Sequence, residues 1–146
     1  MQIEIQIDSS HREPKIIIVT DRLTEEVHQI MKKLEEPTVL SGFKENTLTI
    51  LEQQCILRIY AAGGKIFAVT EEGEYTLRLR LYELEERLDP SSFVRISNSE
   101  IINLKRVKNF DLSFSGTICA ALSDGTTSYV SRRYVAKIKK ILGIGG

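Results

Sequence analysis

Hydroxyl, amide and guanidinium groups gather in two short segments of the last third of the chain. Ser97-Asn98-Ser99 lies between apolar stretches, and Ser131-Arg132-Arg133 begins a predicted helix. Such groups donate hydrogen bonds to phosphates, and arginine can donate two in parallel. Two arginines in a first helical turn are unexpected, because the positive end of the helix dipole disfavours cations. An anionic ligand would explain their position; the alternative is that both arginines pair with acidic neighbours.

The distribution of charge favours an anionic partner for the same region. The 146-residue chain has 20 basic and 20 acidic residues. Residues 91–146 hold nine basic and three acidic residues, a net charge of +6. Residues 1–40 (five basic, eight acidic) and 41–90 (six basic, nine acidic) each carry −3. A basic end in a neutral chain is typical of proteins that bind an anion, although two regions that neutralise each other explain the charge equally well.

The sequence contains no pattern typical of a catalytic or metal centre. His11 and His28 lie far in sequence from Cys55 and Cys119, and neither histidine accompanies a nucleophile motif. Both cysteines are predicted as small apolar residues inside strands. The segment Ala62-Gly63-Gly64-Lys65 lacks the spacing of a phosphate-binding loop, which favours a hairpin turn. We therefore predict that the protein is not an enzyme and that it uses neither a cofactor nor a small-molecule substrate.

Residues 1–40 are predicted to form an acidic β-β-α segment that serves as a dimer or partner interface. Alternating isoleucines predict a strand over residues 2–7, and an apolar run predicts a second over Lys15–Thr20. Thr24 is a suitable N-cap for a helix over Glu25–Glu36, which Pro37 ends. Its apolar residues recur at helical spacing: Val27, Ile30, Met31 and Leu34.

Residues 41–146 are predicted to be mainly β, with peripheral helices. Turn residues separate eight predicted strands, over 47–51, 55–61, 65–70, 73–78, 93–96, 107–114, 117–122 and 126–130. Helices are predicted over 80–88 and 132–142, the latter with Ser131 as N-cap. Strands and helices do not alternate, so the sheets should be antiparallel. No apolar run approaches the ~20 residues of a membrane span, and the N-terminus lacks signal-peptide features, which together predict a cytoplasmic protein.

Two segments of this region resemble the LytTR family of bacterial DNA-binding domains. They are FVRISNSEIINLKRV at 93–107 and SDGTTSYVSRRYVAKIKKIL at 123–142, with a strand–turn–strand between them. The resemblance covers about residues 41–146. Nine residues fall on the family pattern: Phe93, Arg95, Ser99, Asn103, Val107, Gly125, Ser131, Arg132 and Arg133.

The resemblance implies a β-β-β fold of about ten strands that inserts loops into successive major grooves of duplex DNA. Family members bind paired direct repeats as dimers and regulate transcription. The DNA contacts it implies are at Ser97 and Asn98, loosely at Ser113–Ser115, and at Arg133 with Arg132 beside it. Together with neighbouring polar and basic residues, the candidate DNA-binding residues are Ser97, Asn98, Ser99, Lys105, Lys108, Ser113, Ser115, Arg132, Arg133 and Lys137.

Two departures from the family pattern keep alternatives open. Ser97 stands where the family usually has histidine, which suggests a protein-binding antagonist that has kept the fold and lost DNA contact. Residues 1–40 are too few to form the phosphoacceptor domain that many relatives carry. Some short relatives have a membrane protein as their partner, which makes such a protein a candidate partner here. An RNA-binding domain is a weaker alternative, because basic and aromatic residues do not interleave.

Overall fold

The computed structural model describes residues 1–34, 39–112 and 117–144. The chain forms two compact units, Met1–Glu36 and Pro37–Gly146. In the described residues of the first unit, the regular element is helix α1 (Glu25–Leu34). The Val27 N–H donates to Thr24 Oγ1 (3.3 Å), so the helix begins at the predicted cap. The predicted last two residues of this helix, 35 and 36, lie outside the described residues.

The two strands predicted in the first unit are wrong. Residues 2–7 and Lys15–Thr20 form no strand, and their apolar side chains are mostly exposed. A strand needs a hydrogen-bonded neighbour, and neither segment pairs with a strand among the described residues. The alternation of Ile3, Ile5 and Ile7 therefore indicates an amphipathic segment whose partner strand is not among the described residues.

A seven-stranded antiparallel sheet is the centre of the second unit. The strand order is β2-β1-β5-β4-β3-β7-β6. The strands are β1 (Leu40–Lys44), β2 (Thr47–Leu51), β3 (Ile56–Ala62), β4 (Lys65–Thr70), β5 (Gly73–Leu77), β6 (Phe93–Ser97) and β7 (Glu100–Asn103). Helix α2 (Leu81–Arg87) connects β5 to β6, and 3-10 turns precede β3 and follow β7, at Gln53–Cys55 and Leu104–Arg106.

A smaller sheet and a final helix complete this unit. The three-stranded sheet has the order β10-β9-β8, with β8 (Val107–Asp111), β9 (Ile118–Leu122) and β10 (Thr127–Val130). Helix α3 (Arg132–Ile141) follows β10 directly. The described residues thus contain ten strands and three helices, which confirms the predicted, mainly β architecture. None of these helices is long and apolar enough to cross a membrane.

Strands β6 and β7 contribute to two hydrophobic cores, because their side chains alternate between the faces of the sheet. Phe93 and Ile101 pack with Leu84 of α2 and with the central strands in the first core. Neighbouring side chains of the same two strands face the second core, where Val94, Ile96 and Ile102 pack with Ile118, Ala120, Val130 and Ile138. The β6–β7 hairpin is thus held from both sides.

Three local predictions differ from the structure. No strand is predicted where β1 lies; a Cβ at Gly42 would lie 2.6 Å from Leu51 Cδ1, so the close packing of this strand requires glycine. No strand is predicted where the four-residue strand β7 lies. Cys55 is exposed in a 3-10 turn and not inside a strand, whereas Cys119 is buried in β9 as predicted.

Candidate nucleic-acid interface

The polar triplet Ser97-Asn98-Ser99 forms the tight turn between β6 and β7. Ser97 is paired with Glu100, so Asn98 and Ser99 are the two turn residues. The Ser99 N–H donates to Ser97 Oγ (3.2 Å), and the two serine hydroxyl oxygens are 3.4 Å apart. The side chains of Asn98 and Ser99 are exposed. The turn therefore offers an amide and hydroxyl groups to a ligand.

Arg95 fixes the backbone of this turn. Its Nε donates to the Ser97 carbonyl oxygen (2.7 Å) and its Nη2 to the Asn98 carbonyl oxygen (2.5 Å). Its Nη1 forms an ion pair with Glu85 of α2. Arg95 is one of the residues on the family pattern, yet its positioning role could not be read from the sequence. It holds two carbonyl oxygens inward, and the side chains of the turn remain free to face outward.

The opposite side of the turn is also held by hydrogen bonds. The Ala61 N–H of β3 donates to the Ser99 carbonyl oxygen (2.8 Å). Glu100 forms an ion pair with Arg58 (3.5 Å) and accepts a hydrogen bond from the Ser128 hydroxyl. The Arg58 guanidinium lies 4.6 Å from the Tyr60 ring centroid. These contacts join the turn to the central strands and to β10, and none of them could be predicted from the residue pattern.

The hydroxyl of Tyr60 extends this network. It donates to Glu74 Oε1 (2.7 Å), and this hydrogen bond is the main cause that raises the pKa of Tyr60. The Tyr60 ring also stacks on Phe67, with ring centroids 5.1 Å apart. Tyr60 therefore remains a neutral donor at physiological pH. Its contacts help to hold β3, the strand that also carries Arg58.

The start of α3 lies beside the turn. The Ser131 N–H donates to the Ile96 carbonyl oxygen (2.9 Å), which joins the β10–α3 connection to β6. The Tyr134 hydroxyl donates to Asn98 Oδ1 across 3.5 Å. The two segments that the sequence singled out, 97–99 and 131–133, are thus brought together. Tyr134 was missed as a contact of this site, although it directly follows the two arginines.

Arg132 and Arg133 are exposed in the first turn of α3. Across residues 1–34, 39–112 and 117–144, neither forms an ion pair, which argues against pairing with acidic neighbours. The Arg133 Cζ lies 6.0 Å from the Tyr134 ring centroid. Ser131 is at the N-cap position, but its side chain makes no capping hydrogen bond. Both guanidinium groups and the helix N-terminus can therefore attract an anion.

Lys137 extends the basic surface along α3. It lies four residues after Arg133, so both side chains are on the same face of the helix. Lys137 is exposed and lines a shallow groove together with Glu85 and Arg95. Since Glu85 is already paired with Arg95, the charge of Lys137 is available to a ligand.

Lys105 and Lys108 are not beside the turn. Lys105 follows β7 at its opposite end, and its N–H donates to Asn103 Oδ1 (3.0 Å). A strand rises about 3.3 Å per residue, so β7 separates Lys105 from the turn by more than about 10 Å. Lys108 lies at a bulge of β8, at the end of that strand away from Asp111. Both lysines are thus at some distance from the other candidates.

The candidates Ser113 and Ser115 lie outside the described residues. The strands on either side of them end near α3: β8 ends at Asp111, and Ile118 of β9 pairs with Val130, the residue before Ser131. The described ends of this connection therefore lie at the same end of the small sheet as the arginines.

Among the described side chains, no group of three or more His, Cys, Asp or Glu could hold a metal.

Comparison with known proteins assigns the family. Residues 46–143 match the model of the LytTr DNA-binding domain. The structure is similar to that of the LytTr DNA-binding domain of a Bacillus cereus protein described as a methyl-accepting/DNA response regulator. The TM-score is 0.72 at 23% identity, over 75% of this chain and 100% of that chain. At this identity the likeness shows the fold.

Full-length relatives are found in Staphylococcus aureus. The chain is 31% identical over 147 residues to an HTH-type transcriptional regulator of strain NCTC 8325 / PS 47, and the alignment covers 99% of each chain. A relative of the same description in strain MRSA252 is 30% identical with the same coverage. In the described part of this chain, strands separate the three helices, so none of these helices forms a helix-turn-helix pair. The chain belongs to the LytTR family of DNA-binding domains.

Proposed function

We propose that this protein is a sequence-specific transcriptional regulator that binds duplex DNA through the β6–β7 turn and the start of α3. The observation that carries the proposal is the contact between these two segments, at which Arg132 and Arg133 form no ion pair with the described residues. The names of the Staphylococcus aureus relatives and the basic charge of residues 91–146 support a regulatory, DNA-binding role.

Each candidate residue has a distinct proposed role. Arg133, with Arg132 beside it, contacts a guanine edge or a phosphate, because arginine can form paired hydrogen bonds with either. Asn98 and Ser97 contact polar groups in the groove, and Ser99 donates to the backbone. Lys137 neutralises a phosphate near the arginines. Lys105, Lys108, Ser113 and Ser115 extend the contact to neighbouring segments of the duplex.

The resemblance to the family supports finer features of the proposal. The protein acts in the cytoplasm as a dimer, binds two half-sites arranged as direct repeats, and inserts loops into successive major grooves. Residues 1–40 supply dimer or partner contacts, and a membrane protein encoded nearby is a further proposed partner. The proposed role requires no catalysis, cofactor or small-molecule substrate.

Binding to the DNA upstream of the protein's own gene tests this function. Fluorescence anisotropy would compare that duplex with a scrambled duplex of equal length, and a third duplex would carry one half-site inverted. Arg133→Ala should weaken specific binding by about 1–3 kcal/mol. Arg87→Ala is the matched control, because Arg87 is exposed in α2 outside the proposed interface. Equal affinity for all three duplexes would favour the protein-binding antagonist.

A further inference from the structure

We propose that α1 forms an antiparallel helix pair with α1 of a second copy of this chain, and that this pair is the centre of a homodimer interface. The proposal deepens the proposed function, because it rests on a dimeric regulator and names the surface that would make the dimer. It concerns the first unit alone and predicts self-association without DNA.

Helix α1 has an apolar stripe whose C-terminal half the described chain leaves uncovered. Val27 is buried and Ile30 is half-buried, but Met31 is 45% and Leu34 is 51% exposed. The helix has ten residues, and helices of fewer than about 12–15 residues are marginal in water unless an apolar face is packed. The exposed end of the stripe therefore offers Met31 and Leu34 to a partner surface, whose packing would stabilise the helix further.

The charges beside the stripe identify that partner as a second copy. Glu26 in the first turn and Lys33 in the last turn are seven residues apart, so both flank the same side of the stripe. In an antiparallel pair, Glu26 of each helix lies next to Lys33 of the other. The two-fold axis makes this contact twice. A parallel pair would not bring Glu26 next to Lys33, so the charge pattern favours the antiparallel arrangement.

The opposite face of the helix carries another glutamate and another lysine, outside the apolar stripe. Glu25 and Lys32 point away from the stripe, and Glu25 accepts a hydrogen bond from Gln29 Nε2 (3.2 Å) on that outer face. These two residues thus provide a matched control for Glu26 and Lys33: the charge changes are identical, and the helix turns are the same.

The first residues of the chain can supply the remaining contact area. A ten-residue helix is only about 15 Å long, whereas a stable interface buries about 1,200–2,000 Å². Ile3 and Ile7 are 84% and 97% exposed, in a segment that alternates as a strand does but has no paired strand among the described residues. A second copy offers an identical segment, which can pair with it about the same two-fold axis.

Sedimentation equilibrium of the full chain without DNA tests this interface through charge reversal. Wild type should be a dimer at micromolar concentration. Glu26→Lys and Lys33→Glu should each weaken the homodimer about tenfold at low salt, because each replaces two attractive contacts by two repulsive ones. A mixture of these two variants should form a heterodimer of wild-type affinity, and the doubly reversed variant should regain the homodimer.

Glu25→Lys and Lys32→Glu should leave the dimer unchanged, which separates the interface from a general effect of charge. A monomeric wild type, equal weakening by all four reversals, or a mixture that does not associate would overturn the proposal. Restored association of the mixture also shows that the single variants are folded. DNA titrations of the same samples are a separate readout, so a dimer that ignores DNA would reject the proposed function and not this interface.

Discussion

The Tyr134 hydroxyl lies 3.5 Å from Asn98 Oδ1 and joins the first turn of α3 to the β6–β7 turn. This contact links two polar segments that are far apart in sequence. At 3.5 Å the hydrogen bond is weak, so the packing of α3 against β6 and the Ser131–Ile96 hydrogen bond carry most of the connection. The pair instead marks where the exposed amide and the exposed arginines form one surface.

Arg95→Ala should weaken DNA binding by about 10-fold or more, although the Arg95 guanidinium is engaged in contacts within the protein. The substitution removes both hydrogen bonds that hold the Ser97 and Asn98 carbonyl oxygens, and the turn loses its fixed orientation. Amide hydrogen exchange at Asn98 and Ser99 should become faster in the variant. Glu85→Gln is the control, since it removes the ion pair and leaves both carbonyl contacts; unchanged exchange in Arg95→Ala would contradict the positioning role.

Lys137→Ala should lower DNA affinity similarly for every sequence and reduce its dependence on salt. For about six phosphate contacts, log K should fall with log salt at a slope near −5, from about −0.9 per phosphate. Loss of one contact should change the slope by about 0.9. Lys139→Ala, on another face of the same helix, should leave the slope unaltered. An effect of Lys137→Ala that depended on sequence would indicate a base contact instead.

Asn103→Ala should destabilise the second unit by about 2–3 kcal/mol. Asn103 is 1% exposed, its Nδ2 donates to the Ile56 carbonyl oxygen (2.9 Å), and its Oδ1 accepts from the Lys105 N–H. The substitution leaves a buried carbonyl oxygen without its donor and creates a small cavity. Urea denaturation followed by circular dichroism measures the change.

Asn109→Ala is the control for this measurement, because Asn109 is exposed on β8. A loss in Asn103→Ala no larger than that in Asn109→Ala would show that the Asn103 hydrogen bonds contribute little to stability.

Asp89→Ala should reduce stability by about 1 kcal/mol at pH 7 and by progressively less in acid. Hydrogen bonds from Ser91 Oγ (2.8 Å) and the Ser91 N–H (3.0 Å) lower the pKa of Asp89 below its usual value. A carboxylate with a depressed folded-state pKa contributes above its unfolded pKa of about 4 and loses that contribution as pH falls through the folded value.

Urea midpoints of wild type and Asp89→Ala, measured from pH 7 downward, should therefore converge below about pH 4. Asp89→Asn keeps a side-chain oxygen acceptor for the Ser91 N–H and should depend less on pH than wild type does. A constant gap between wild type and Asp89→Ala over the whole range would mean that the charge of Asp89 is irrelevant.

The hydrophobic pattern predicted most elements of the second unit, because each strand there has a neighbour that satisfies it. The same pattern failed at residues 2–7: Ile3, Ile5 and Ile7 indicate an amphipathic strand but cannot indicate whether a partner strand exists. The hydrophobic pattern also did not predict strand β1. Gly42 is there because Leu51 and Tyr75 leave no room for a Cβ, a fact that only the packing reveals.

The loops of the candidate site could be predicted from the sequence, but the side chains that hold these loops in place could not. Ser97, Asn98, Arg132 and Arg133 could be identified from residue type, charge and family resemblance. Their proximity depends on the packing of α3 against β6 and on the Ser131–Ile96 hydrogen bond, which join segments far apart in sequence. Supporting side chains such as Arg95 hydrogen-bond to backbone carbonyls, and such bonds leave no periodic pattern in the sequence.

The shared position of β6 and β7 between two hydrophobic cores has a consequence for how DNA is recognised. Phe93 and Val94 are adjacent, yet they pack into different cores, so a shift of the hairpin would disturb both at once. Little conformational entropy should then be lost at the turn on binding. The duplex would have to adapt its groove width and bending to the protein, and sequences that deform easily would be preferred even at base pairs that no side chain touches.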